Sequence, residues 1–92
     1  VGYPAETTLA FYLQQIAGPN VLGAAYLGGD FTAVRRAVDA KLGAGTFDRM
    51  VAAGNGSGAL NIIRESMQAR GLAGELARWD ANPIVKTAGA VD

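Results

Sequence analysis

Apolar residues recur at helical spacing along most of this chain, and glycine or proline interrupts them at short intervals. Leu9, Tyr12, Leu13, Ile16 and Ala17 repeat at i, i+3, i+4 and i+7, the pattern of an amphipathic helix. A helix is therefore predicted over 4–17. Pro4 suits its first turn, and Gly18-Pro19 stops it. Asn20 reads as an N-cap for a short helix over 20–27, Val21-Leu22-Gly23-Ala24-Ala25-Tyr26-Leu27, which is apolar on all sides. Such a helix is either buried centrally or faces a partner. A third helix over 31–42 starts at an Asp30 cap, with Phe31, Val34, Val38 and Leu42 in one stripe and Arg35 and Asp39 spaced to pair at i, i+4. A fourth over 47–53 follows a Thr46 cap and turns Phe47, Met50 and Val51 inward. Gly54 to Gly58 reads as a flexible linker ending in a Ser57 cap. Leu60, Ile63 and Met67 then carry a helix over 59–70, and Leu72, Leu76 and Trp79 a last one over 72–81. Residues 82–92 show no periodicity and read as an extended tail.

No run of alternating β-branched residues competes with these helices, and no segment repeats at a fixed period. The pattern predicts an all-α fold, a compact orthogonal bundle of five to six short helices with extended terminal arms, forming a single helical domain over 1–92. Helices this short are marginal alone, so tertiary packing has to hold them.

Composition narrows the chemistry. Of 92 residues, half are hydrophobic and 17% charged, a globular balance. Cysteine and histidine are both absent. That excludes disulfides, thiolate nucleophiles, histidine bases and zinc sites built on Cys or His. Ser57 and Ser66 have no histidine to activate them; Glu65, Glu75 and Asp80 are the only clustered carboxylates, and Glu65 and Glu75 read as solvated surface charges. No catalytic residue, metal site or cofactor is predicted. The formal net charge is zero, whereas nucleic-acid binders carry a basic excess. No apolar run is long enough to span a membrane.

Three functional readings follow. The first is a non-enzymatic helical module for protein–protein interaction or assembly: a structural subunit, an adaptor or a domain of a larger protein. Six arginines against two lysines, with abundant alanine, hint at a bacterial or phage source. Tyr3, Phe11, Tyr26, Ile84 and Val85 are the candidate partner contacts, and self-association or a protein partner is expected. The second reading is a small-ligand or anion-binding domain. A glycine-rich turn before a helix presents backbone N–H groups to an anion, which makes Gly56, Ser57, Gly58 and Arg64 its candidate contacts. The third is a weak DNA-binding helix-turn-helix through Arg35, Arg36 and Arg49. Its second helix carries Arg49 as the only long basic side chain, whereas a recognition helix needs several that reach base edges.

Overall fold

A computed structural model describes residues 4–88. In chain order its helices are α1 (Pro4–Ala17), α2 (Pro19–Gly28), α3 (Thr32–Leu42), α4 (Thr46–Ala53), α5 (Gly56–Ala69), α6 (Ala73–Asp80) and α7 (Pro83–Ala88). There is no strand among the described residues. The fold is all-α, with seven helices among the described residues where five to six were predicted.

The extra helix comes from the supposed tail. Asn82 caps it, its side-chain oxygen accepting the Ile84 backbone N–H at 2.9 Å. Pro83 fits the first turn, where no N–H is needed. Val85 then points into the core and is fully buried. Six residues are too few to show an amphipathic period, so the pattern could not reveal this helix. Tyr3 and residues 89–92 lie outside the described residues.

The core gathers around α1, which packs against α2, α3, α5 and α7. That surrounding explains why Phe11, off the expected stripe of α1, is buried along with Tyr12 and Leu13. Val34, Val38, Ile63 and Met67 complete the centre. The Thr8 hydroxyl is buried there and finds no hydrogen-bond partner among the described residues. Among the described residues Thr8 and Thr46 are the buried polar ones in an otherwise apolar interior.

Several caps differ from expectation. The Thr46 hydroxyl does not cap α4. It donates backwards to the Gly43 carbonyl at 2.7 Å, closing the end of α3. Asp39 supplies the missing cap from a distance, one oxygen accepting the Phe47 N–H at 3.0 Å and the other the Gly45 N–H at 3.3 Å. It is thereby unavailable to Arg35, which pairs with Asp48 instead. Asn20 caps nothing, because α2 starts at Pro19 with Gly18 as an N-cap without a side chain. Asp30 does not cap α3, which starts at Thr32 with Phe31 in the N-cap position; from one residue further out, its side chain accepts both the backbone N–H and the hydroxyl of Thr32. Those two donors hold its carboxyl below the usual range.

Asp39→Ala should remove both carboxylate oxygens that accept backbone N–H groups at the start of α4. Loss of a cap typically costs about 1 kcal/mol, up to about 2. For a domain of this size that means a Tm lower by roughly 4–8 °C for each kcal/mol, read in a thermal melt. Asp39→Asn keeps one acceptor oxygen and should recover part of the loss.

Candidate functional site

The predicted linker is shorter than it looks in sequence. Asn55 is a strong N-cap whose side-chain oxygen accepts the Gly58 N–H at 2.7 Å. Helix α5 therefore begins at Gly56, and Gly56, Ser57 and Gly58 form its first turn. The connection from α4 is Gly54-Asn55 alone, with Gly54 in the left-handed conformation at φ 75°. Of the remaining glycines, Gly58 answers to a steric demand, while Gly56 lies beneath the flexible end of the Glu6 side chain. A methyl group on Gly58 would come within 2.8 Å of the Ala53 side chain, and one on Gly56 within 2.7 Å of Glu6 Oε1. So α4 and α5 close tightly, and the Glu6 side chain lies over the start of α5.

This arrangement disperses the candidate anion contacts. The Gly58 N–H is taken by Asn55, and Gly56 is buried. The Glu6 carboxylate already occupies the position where the positive end of the α5 dipole favours negative charge. Ser57 and Arg64 do reach one open cleft of about 580 Å³, together with Asn61 and Pro4, but Glu6 lines it too.

Arg64 is turned mainly inward. Its Nη2 donates to Asp80 Oδ2 at 2.8 Å and its Nε to the Tyr12 hydroxyl at 3.3 Å. The Tyr12 hydroxyl in turn donates to Asp80 Oδ1. Burial works against the Arg64 charge, but the Tyr12 and Asp80 contacts outweigh it and hold the guanidinium above its ordinary pKa. Burial and the hydrogen bond to Asp80 push the Tyr12 phenol up to about 12, against the opposing pull of Arg64. A phenol with that pKa is a poor general base at neutral pH. The cluster ties α1, α5 and α6 together. Beside it, Lys41 pairs with Glu75 at 2.9 Å, so Glu75 is not the simple solvated charge the sequence suggested.

The clearest open feature is apolar. A groove of about 430 Å³ runs between α1, the α2–α3 corner and α4. Leu9, Leu13, Phe31, Phe47 and Met50 form its floor and walls, while Glu6 and Asn55 stand where it meets the start of α5. Tyr26 and Val51 flank it at 60% and 63% exposure. The Tyr26 ring is fixed edge-on against Phe31, with centroids 5.6 Å apart. Large exposed apolar residues are unusual when they gather at one concave feature.

Of the candidate partner contacts, Tyr26 and Ile84 are exposed, whereas Phe11 and Val85 are spent on the chain's own core. Sequence reasoning missed Val51 and Leu27. Val51 sits four residues after Phe47 and was read as inward-facing, but α4 is only eight residues long and buries just Thr46, Phe47 and Met50. Leu27 is 93% exposed, and the absence of any charge on α2 was the one available signal. Among the basic residues of the DNA-binding reading, Arg35 is paired with Asp48 and lies over the Phe47 ring. Arg49 lines a separate shallow cleft with Glu65 and Arg70. Among the described residues no group of carboxylates is placed to hold a metal ion, and no helix is long and apolar enough to cross a membrane. Comparison with family models, with curated proteins and with solved structures gives no match for this chain.

Proposed function

We propose that this chain is a non-enzymatic helical module acting through protein–protein contact, with the Leu9–Phe31–Phe47–Met50 groove as its docking face. The observation that carries this reading is the pairing of an open apolar groove with exposed Tyr26 and Val51 at its edges. Interface cores favour such apolar and aromatic anchors with a polar rim. Glu6 and Asn55 provide the polar end. The partner that suits the groove is an amphipathic helix with apolar anchors at i, i+3 and i+4 and a basic side chain directed at Glu6. The polar Tyr12–Arg64–Asp80 cluster fits the same role, since it locks α1, α5 and α6 together and its carboxylate is already taken up by Tyr12 and Arg64.

The test uses the immobilised chain as bait in extract from its native source. The wild type should retain a specific partner, and Val51→Glu should lose at least ten-fold of it. Val51 is exposed, so the change leaves the core intact. Retention of the same partner by Val51→Glu would remove the groove as the docking face. No retained partner together with a strictly monomeric chain would end the interaction reading.

A further inference from the structure

The other side of α2 is also bare, and it differs in kind from the groove. Asn20, Val21, Ala24, Leu27 and Gly28 lie on one face of this helix, and all are exposed. None is charged, and neither is any other residue of α2. Leu27 projects from this face at 93% exposure. Beside it a shallow groove of about 410 Å³ runs between α2 and α3, lined by small or apolar side chains: Val21, Ala24, Ala25 and Ala33. Asn20 and Asp30 also line it. One helix thus carries both a projecting leucine and a hollow floored by alanines.

We propose that two copies of this chain pair through α2, antiparallel about a two-fold axis passing near Ala24. The proposal rests on the interaction-module reading and names a partner, a second copy, for a face distinct from the docking groove. The register follows from helix geometry. With the axis at Ala24, a residue three positions after it faces the residue three positions before it on the other copy. Leu27 therefore lands opposite Val21, over the alanine-floored hollow, and the reciprocal contact is identical, as a two-fold interface requires. The alanine at the centre lets the helices approach closely. Charge agrees with the arrangement. No like charges on α2 oppose each other, and Asp30, beyond its C-terminal end, approaches the N-terminal end of the other copy's α2. That end has no side-chain cap, so its amides and the positive pole of the helix dipole are open to a carboxylate. Other occupants lack this match, because a foreign helix would have no reason to repeat the Leu27-to-hollow spacing.

The contact is small. A ten-residue helix is roughly 15 Å long, so the buried area falls below the roughly 800 Å² per partner of a stable complex. The pairing is weak and concentration-dependent, with a Kd on the order of 0.1 mM.

Sedimentation equilibrium of the purified chain tests it. Between about 20 µM and about 1 mM, concentrations bracketing that weak Kd, the average mass should rise from the 9.4 kDa of one chain towards twice that value. Leu27→Glu, at an exposed position where the fold is not at stake, should weaken pairing at least ten-fold. Val51→Glu, in the other groove, should pair like the wild type. The chain has no cysteine, so an introduced one reports unambiguously. On mild oxidation Ala24→Cys, next to the axis, should form a disulfide-linked dimer much faster than Gln14→Cys, exposed on α1. A constant mass up to the highest concentration, unchanged pairing in Leu27→Glu, or equal cross-linking of the two cysteine variants would each overturn the proposal. Failure here with Val51-dependent capture intact removes only self-pairing. Loss of that capture with pairing intact removes only the groove reading.

Discussion

Trp79→Ala should lower the unfolding free energy by about 3–5 kcal/mol, the usual range for emptying a large buried aromatic site. For a single domain that is comparable with the lower end of total stability, about 5 kcal/mol. The position explains the size of the effect. Trp79 is buried on α6, a helix of eight residues that would not persist alone. Its ring lies tilted against that of Tyr12, with centroids 5.3 Å apart, and the Lys41 ammonium sits 5.9 Å from its centroid. Removing the indole opens space between α1 and α6 and frees the adjacent Asp80, which holds both Tyr12 and Arg64. Urea denaturation followed by far-UV circular dichroism reads the loss. Trp79→Phe retains an aromatic ring and should recover more than half of it. A wild-type midpoint in Trp79→Ala would mean that α6 lies outside the cooperative core.

The long helices were legible because each repeats its apolar period more than once. Leu9, Tyr12, Leu13 and Ile16 mark α1, which stands where the spacing puts it, and Leu60, Ile63 and Met67 mark α5, which begins three residues earlier than the predicted 59–70. What the pattern could not resolve was local competition. Thr46 is a plausible cap by residue type, yet it is Asp39, seven positions earlier, that accepts amides at the start of α4, those of Gly45 and Phe47. Ser57 is equally plausible, yet Asn55 comes first and starts α5 before it. Such choices depend on which side chain arrives with better geometry, and that depends on how α3 and α4, or α4 and α5, fold against each other. The last helix, α7, was illegible because one buried valine is not a period.

The site was less legible than the fold, for a related reason. Exposure is a property of packing and not of residue type. Phe11 and Tyr26 look alike in sequence, but α1 is surrounded on several sides and buries Phe11, while α2 has neighbours on one side only and leaves Tyr26 open. Glycines 54, 56 and 58 suggested an anion loop by composition. Their contacts show instead that Gly58 makes room for Ala53, while Gly56 lies beneath the flexible end of the Glu6 side chain. The Tyr12–Arg64–Asp80 cluster draws on three helices separated by up to 68 positions, and no spacing rule connects them.

That cluster gives the second large effect, an alkaline loss of stability of about 2–3 kcal/mol that Tyr12→Phe should abolish. The folded chain raises the Tyr12 pKa from 10.0 to about 12, first by burial and then through the hydrogen bond to Asp80. The native state thus holds the phenolic proton more tightly than the unfolded chain does. The stabilisation is fully present below pH 10 and is lost as pH rises through about 12. Each pKa unit corresponds to about 1.4 kcal/mol, which sets the size. Other groups titrate in this range, so the informative quantity is the difference between wild type and Tyr12→Phe, from urea denaturation at a series of pH values. At neutral pH the phenylalanine variant should be weaker by about 1 kcal/mol, one lost hydrogen bond. Towards pH 12 that gap should close and then reverse, because the variant has no proton to lose beside the Asp80 carboxylate. Parallel pH slopes for the two proteins would show that the fold places no special hold on the Tyr12 proton. A closing gap would establish the phenol as a donor fixed in its neutral form. It would then act as a clamp between α1 and α6.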